Sequence, residues 1–178
     1  SFFGEAGLVQ DGIELSWLAP LPFYSEIKPM WFSGAGNPSF AAKQDILGVQ
    51  WKNFLSWDDS GLEISYSHLN GASNSKLNPT ENYGVKLQGL QMRYKQMFGN
   101  SKYWTLQNEW LFSENNLGTM VSSAGSFHYL GIQWDPLWQT GLGFESSGTP
   151  DGTSSISSRF INLQYHSTEF QYYRFKLY

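Results

Sequence analysis

Acidic side chains offer the most reactive chemistry in this sequence, and several of them fall in two short polar segments. Asp58 and Asp59 lie in "WDDS" at 57–60, and Glu114 lies in "SENN" at 113–116. Two facing carboxylates could supply the acid and the base of glycoside hydrolysis. A turn explains Asp58, Asp59 and Gly61 more simply, because Asp and Gly are common turn residues. With no G-x-S-x-G, phosphate-binding loop or dinucleotide-binding motif, the sequence predicts neither an enzyme nor a cofactor.

Residue types that bind metals are few. The three histidines, His68, His128 and His166, are far apart in the sequence, whereas a metal site needs ligands that converge. The chain has no cysteine, which excludes a disulfide framework and thiolate metal sites. We therefore predict no bound metal.

Polar and charged residues that alternate with apolar ones form a larger candidate set. In a closed sheet they would face inward and line a channel. The candidate lumen-lining residues are Glu14, Glu26, Lys28, Gln50, Lys52, Glu63, Lys86, Gln88, Gln107, Glu109, Glu145, Arg174 and Lys176. Rings of one charge sign would set ion selectivity, but here the signs are mixed. The alternative is that these charges pair across neighbouring strands and fill the lumen.

Tryptophan is unusually frequent, with 8 residues among 178. Indole rings are half apolar and half polar, which favours them at the two boundaries of a membrane. The candidate membrane-interface residues are Trp17, Trp31, Trp51, Trp57, Trp104, Trp110, Trp134 and Trp138. In a soluble protein the same residues would fill the core of a β-sandwich or stack against sugars.

Composition narrows the class of protein. The 11 basic and 15 acidic residues give a formal net charge of −4, so nucleic acid is not an expected partner. Charged residues make up 15% of the chain, against roughly 25% in an ordinary soluble domain. The longest apolar stretch, "WLAPLPFY", is too short for a membrane helix and contains two prolines. The mean hydropathy of −0.39 fits both a soluble protein and a transmembrane barrel, because barrel strands are half polar.

The elements that position these residues are β-strands. Apolar residues recur with a period of two, and no helical pattern extends over a dozen residues. The predicted strands lie near 12–19, 23–33, 46–57, 62–69, 83–97, 103–112, 127–134, 138–146, 156–165 and 169–178. In the fifth, the apolar side changes at Gly89, from Val85 and Leu87 to Leu90 and Met92. A β-bulge at the glycine would explain this change.

The predicted connections alternate in length. Short turns lie near 19–23, which contains Pro20-Leu21-Pro22, and near 58–61, 98–102, 135–138 and 165–169. Long loops rich in Gly, Ser and Asn lie near 33–45, 70–82, 113–126 and 146–155. Strands of about ten residues with short turns at one end and long loops at the other are typical of an outer-membrane barrel. The sequence therefore predicts an all-β fold, a transmembrane antiparallel up-and-down β-barrel.

The direction of the strands indicates whether this chain would form a whole barrel or part of one. If the short turns are periplasmic, the first predicted strand runs toward the periplasm and the tenth runs outward. A complete barrel of this kind begins and ends in the periplasm. We therefore expect 1–178 to be a single β-barrel domain, incomplete at both ends, within a barrel of at least about 12 strands.

Three segments together resemble a bacterial outer-membrane family. They are "GEAGLVQDGIELSWLAPLPFYSEIKPMWFSG", the Tyr-Gly opening of the fifth strand, and the closing "STEFQYYRFKLY". Members of the family are porin-like or zinc-regulated, TonB-dependent-receptor-like proteins, akin to phosphate-selective porins. The resemblance implies an envelope barrel that passes small solutes and commonly forms a homo-oligomer or a larger envelope complex. The sequence contains no plug domain, TonB-box segment or ladder of Arg or Lys, so neither TonB coupling nor phosphate specificity is predicted.

Three functions follow as hypotheses. The first is a channel in the bacterial outer membrane for passive or gated passage of small solutes or ions, with outer-membrane lipid as its surroundings. The second is a structural or anchoring barrel that conducts little and belongs to a larger envelope assembly. The third is a soluble, secreted β-sandwich that binds carbohydrate through Trp and Tyr.

Overall fold

The fold is a single antiparallel β-sheet in which strands follow one another in chain order. The computed structural model describes residues 11–33, 45–74, 82–99, 101–116, 120–148 and 154–165. These residues form ten strands and no helix. The strands are β1 (Gly12–Glu14), β2 (Trp17–Leu18), β3 (Tyr24–Phe32), β4 (Ile46–Trp57), β5 (Ser60–Asn74), β6 (Asn82–Met97), β7 (Tyr103–Asn116), β8 (Met120–Asp135), β9 (Trp138–Gly148) and β10 (Ser155–Tyr165). The predictions of an all-β class and up-and-down antiparallel order are confirmed.

The first predicted strand is divided in two by a proline on its neighbour. β1 and β2 both pair with β3, and their register is the same on either side of the gap. The backbone N–H of Leu15 donates to the carbonyl of Pro29 at 3.1 Å. Pro29 has no N–H to return that bond, so the ladder is interrupted opposite it.

The predicted short turns are confirmed wherever the structure describes them. Asp58 lies in the two-residue turn between β4 and β5 with a φ of 44°, a left-handed conformation that Asp tolerates better than most residues. The turn after β2 is closed by the N–H of Ala19, which donates to the carbonyl of Ser25 at 2.9 Å. Between β8 and β9, the Asp135 side chain accepts a hydrogen bond from the N–H of Leu137 at 2.9 Å.

Two of the predicted long loops are wrong as placed. β7 continues to Asn116 and β8 begins at Met120, so most of the predicted loop 113–126 is strand. β5 and β6 likewise extend into the predicted loop 70–82. Segments rich in Ser and Asn pair here because the ladder is formed by backbone groups, whatever the side chains are. The predicted strand 169–178 and the turn 165–169 lie outside the described residues, apart from Tyr165, as does most of the loop 33–45. In the predicted loop 146–155, β9 continues to Gly148 and β10 begins at Ser155, while 149–153 lie outside the described residues.

The register of β6 excludes the β-bulge predicted at Gly89. β5 and β6 pair without a shift from Ser60 and Gln96 to Asn74 and Asn82. Gly89 instead has close neighbours, because a Cβ there would lie 2.6 Å from the Ser67 hydroxyl. The apolar side of β6 therefore changes along the strand while its register stays continuous.

The continuous register assigns each side chain to one of two faces, since residues alternate along a strand and paired residues share a side. We call the side that carries Trp51, Leu90 and Trp110 the tryptophan face. The opposite side is the charged face. At the end of the sheet where β4 and β6 begin, the charged face holds the buried apolar cluster Ile46, Leu69, Val85 and Leu87, with Met30, Phe32 and Tyr83 packed against it.

We expect Pro29→Val to join β1 and β2 into one strand. The new amide at position 29 would face the carbonyl of Leu15 and complete the hydrogen-bonded pair. The added hydrogen bond stabilises the fold by about 1 kcal/mol. Removal of the proline destabilises it by a similar amount, because the unfolded chain gains conformational freedom. Stability should therefore change little, and the readout is the hydrogen exchange of the new amide.

Protection of that amide comparable to that of the β3 amides would support the assignment. Exchange as fast as in an unstructured peptide would contradict it. Pro22→Val, in the turn, serves as the control and should create no protected amide.

Candidate functional site

The tryptophan face carries a continuous apolar band that no other part of the described chain covers. Its residues include Ile27, Trp31, Leu47, Val49, Trp51, Trp57, Leu62, Ile64, Tyr66, Leu90, Met92, Tyr94, Trp104, Leu106, Trp110, Leu130, Ile132, Trp138, Leu142, Ile161 and Leu163. Many of them are exposed, and the exposed fraction reaches 69% at Ile161. A sheet face this apolar and this open marks a surface that contacts another protein, a ligand or a membrane.

Seven of the eight predicted interface tryptophans lie on this face by register. Trp134 is not assigned to a face, because it lies at the register shift between Gln133 and Asp135. Near the short turns, the ring of Tyr94 lies 4.9 Å from that of Trp104 and 6.1 Å from that of Trp57. The indole N–H of Trp104 donates to Gln96 at 3.2 Å. These aromatic side chains thus combine an apolar contact with a satisfied polar group, as residues at an apolar–aqueous boundary do.

Polar residues also lie within the apolar band, among them Asn53, whose buried Oδ1 has no hydrogen-bond partner among the described residues. Two others form a pair. His128 Nδ1 and Asn108 Oδ1 are 2.8 Å apart on the neighbouring strands β8 and β7. The imidazole also contacts Trp110 edge-on at 5.6 Å and stacks on Phe144 at 6.1 Å. The pair thus satisfies one polar atom of each side chain, which lowers the cost of placing them in apolar surroundings.

The charged face carries a chain of ion pairs from β1 to β5. Lys28 Nζ lies 3.0 Å from Glu14 and 3.7 Å from Glu26. Lys52 Nζ lies 3.3 Å from Glu63. Glu26 is buried and also accepts hydrogen bonds from the hydroxyls of Ser16 and Tyr24. For these five predicted lumen residues, the structure fits the alternative in which charges pair across neighbouring strands.

The part of the charged face formed by β7 to β10 has a different character. Glu109 and Glu145 are the cross-strand neighbours of Phe127 on either side. The hydroxyl of Ser158 donates to Glu145 at 2.6 Å. Neither carboxylate has an ion-pair partner among the described residues. Gln50 and Gln107 also lie on the charged face, beside Lys28 and Arg93 respectively.

The predicted side of Lys86 and Gln88 is wrong. Both lie on the tryptophan face, because Lys86 pairs with Asn70 and Gln88 with His68 in the unshifted register of β6. The prediction had taken Val85 and Leu87 as outward, which would require the absent bulge. Arg174 and Lys176 lie outside the described residues, so their predicted role stays a prediction.

Three aromatic residues of the charged face were missed by the sequence analysis. Phe127, Tyr129 and Phe160 have nearly parallel rings with centroids 6.0 to 6.4 Å apart. Added Cβ atoms at Gly141 and Gly143 would overlap the rings of Tyr129 and Phe160. The glycines at alternate positions in "TGLGF" were the signal for such close aromatic contact.

The residues that could bind a metal or act in glycoside hydrolysis do not come together in one site in the described part of the chain. No group of three or more His, Asp or Glu side chains among them could hold a metal ion. Asp58 and Asp59 lie in the β4–β5 turn, and Glu114 lies on the tryptophan face of β7. No helix in the described part of the chain is long and apolar enough to cross a membrane.

Comparison with known proteins shows similarity to a distant relative. The chain is 23% identical over 216 aligned residues to an uncharacterized protein of Aquifex aeolicus (strain VF5), with 99% of this chain and 46% of the relative covered. The chain thus spans about half the length of the curated relative that it matches. No protein-family profile and no solved structure matches the sequence.

We expect Lys52→Gln and Glu63→Gln to be coupled in a double-mutant cycle. The two side chains are partly exposed, so a coupling of about 0.2–1 kcal/mol is expected. Equilibrium unfolding in urea of the wild type, the two single variants and the double variant measures this value. The coupling should fall in ~1 M salt, which screens a partly exposed pair. A coupling of zero at low salt would show that the pair contributes nothing to stability.

Proposed function

We propose that the chain forms part of a transmembrane β-barrel in a bacterial outer membrane, and that this barrel passes small solutes or ions. In this proposal lipid covers the tryptophan face and the charged face lines the lumen. The observation that carries the proposal is the division of one sheet into an uncovered apolar side and an ion-paired polar side. A closed barrel is the form in which a sheet crosses a membrane with its backbone groups satisfied.

The uncovered apolar band argues for lipid over a soluble sandwich. In a sandwich, the apolar side of one sheet packs about 10 Å from the apolar side of another. Here the described residues form a single sheet, and Trp17, Trp51 and Leu142 remain exposed on its apolar side. In water an apolar surface of this extent would drive aggregation.

The direction of the apolar band supports tilted strands. On β3 its middle is Pro29, whose partner on β4 is Val49. In the described part of β10 the band runs from Ile161 to Tyr165, with Leu163 at its middle. The row of paired residues from Leu163 reaches β4 at Trp57. Val49 and Trp57 are eight residues apart, which is about 26 Å at ~3.3 Å per residue, and β3 and β10 are separated by seven strand spacings of ~4.8 Å. If the band lies parallel to a membrane, the strands therefore tilt by roughly 40°, as barrel strands do.

The height of the band agrees with the same arrangement. On β4 it extends from Leu47 to Trp57, which is about 33 Å along the strand. At a tilt of roughly 40° this corresponds to about 25 Å along the membrane normal, the height of the apolar band in outer-membrane barrels.

The polar side of the sheet favours a channel over a purely structural barrel. Four basic residues, Lys28, Lys52, Arg93 and Lys95, share it with several carboxylates. A lumen lined by mixed charges is wetted and can conduct ions. The structural barrel remains the second candidate, because the ion pairs on β1 to β5 could also serve only to fill the interior.

Single cysteines on β5 test which side faces lipid, since the 178-residue chain has none of its own. Nitroxide labels at positions 62, 64 and 66 should collide mainly with O₂, which partitions into lipid. Labels at positions 63, 65 and 67 should collide mainly with a water-soluble nickel chelate. Power-saturation spectroscopy of the protein in liposomes measures both rates. Equal accessibility at all six positions, or release of the protein without detergent, would reject the membrane arrangement.

Conductance of the full-length protein in a planar bilayer tests the channel itself. Lys95→Glu would place a negative charge on the lumen side, so the reversal potential in a salt gradient should shift toward cation selectivity. Lys86→Glu, on the same strand but the tryptophan face, should leave it unchanged. Stable insertion without current steps would favour the structural barrel. Equal shifts in both variants would contradict the assignment of the faces.

A further inference from the structure

We propose that the charged face of β7 to β10 contains a binding site for an organic cation, a solute with an ammonium group on an apolar body. This inference deepens the proposed function and depends on it in one respect, because the charged face must be open to solutes. The site consists of an aromatic platform, formed by Phe127, Tyr129 and Phe160, and the carboxylates of Glu109 and Glu145.

The three rings of the aromatic platform lie side by side. Their planes differ by only 14° to 24°, and each pair of centroids is 6.0 to 6.4 Å apart. All three residues lie on the charged face. Phe127 pairs with Glu109, while Tyr129 and Phe160 lie in the next row of paired residues, which contains Gln107. A ligand on this platform would meet the faces of the rings, which carry the negative part of the aromatic quadrupole.

Glycines beneath the rings explain why the rings lie flat. Several ring atoms of Tyr129 approach the Cβ position of Gly141, and several of Phe160 approach that of Gly143. With a side chain at either glycine, the ring above would have to move. Tyr129 is also held at its hydroxyl, which donates to Asn162 at 3.2 Å. The aromatic platform is therefore positioned before any ligand binds.

The charges around the aromatic platform are negative and favour a positively charged ligand. Glu109 and Glu145 flank Phe127 on its two neighbouring strands. The charged face of β7 to β10 has no Lys or Arg in the described ranges, because Arg159 lies on the tryptophan face. Two carboxylates and three negative ring faces favour an ammonium group through charge and cation–π attraction.

An internal contact on the same face shows the same chemistry. The ammonium of Lys95 lies 3.8 Å from the ring centroid of Tyr103. Both residues belong to the charged face. The face therefore already holds one cation on an aromatic ring, although this one is part of the chain.

The space beside the aromatic platform suits a small molecule. A groove of about 570 Å³ is lined by Glu109, Phe127, Glu145, Ser158 and neighbouring residues. Sites for small ligands typically have volumes of about 300–1,000 Å³, with apolar walls and a few polar groups. The groove thus places both carboxylates and one ring of the aromatic platform around a single ligand-sized volume.

The test is equilibrium binding of choline to the full-length protein in lipid nanodiscs, followed by the methyl proton signal of choline. The probe is compared with 3,3-dimethylbutan-1-ol, its uncharged isostere, and with glucose, while empty nanodiscs correct for partition into lipid. We expect choline to bind at least tenfold more tightly than the neutral isostere. Equal binding of the two, binding of glucose alone, or binding of none would overturn the cation site.

Substitutions separate the contributions of rings and carboxylates. Gly141→Ala and Gly143→Ala should displace the rings and weaken choline binding by about twofold to fivefold for each ring affected. Gly84→Ala is the matched control, since a Cβ there meets nothing within 4 Å. Glu109→Gln combined with Glu145→Gln removes both negative charges and should weaken binding by about tenfold, whereas Glu114→Gln, on the tryptophan face, should not. Unchanged affinity in the glycine and glutamate variants would reject the assigned location.

The binding and conductance results distinguish this inference from the channel proposal. Choline binding without conductance would reject the channel and leave the cation site in place. Conductance without choline binding would reject the cation site and leave the channel.

Discussion

The feature on which the rest of this structure depends is the hydrogen-bond register, which runs from β3 to β10 with one local shift, near Gln133. Because side chains alternate along each strand, this register fixes the side of every residue at once. It collects the tryptophans on one face and the ion pairs on the other. A slip of one residue in any strand would move its charged side chains to the tryptophan face and its apolar side chains to the charged face. Because one face is apolar, such a slip is strongly unfavourable.

Much of the fold could be predicted from local patterns. The bounds of β4 were predicted as the structure has them, because a period-two run ends at the Asp58-Asp59 turn. Likewise, alternation alone placed Glu26 and Lys28 opposite Ile27 and Trp31. These features depend on residues close in sequence, where turn chemistry and alternation are informative.

The features that could not be predicted arise between strands. The division of the first strand depends on Pro29, which lies on the neighbouring strand. At Gly89 the apolar side changes because the charged face becomes apolar near its buried cluster, and a sequence pattern cannot distinguish this from a bulge. The aromatic platform likewise exists only because register brings Tyr129 beside Gly141 and Phe160 beside Gly143. Polar strand ends such as those of β7 and β8 pair through backbone groups that leave no side-chain pattern.

The uneven distribution of charge on the charged face has an electrostatic consequence. On β1 to β6 the basic residues Lys28, Lys52, Arg93 and Lys95 exceed the carboxylates Glu14, Glu26 and Glu63 by one, whereas β7 to β10 carry only Glu109 and Glu145. If the sheet curves around a water-filled space, these two walls create an electric field across it, perpendicular to the direction of passage. A dipolar molecule between them would be turned with its positive end toward β7 to β10. The sheet would then orient a solute as well as admit it.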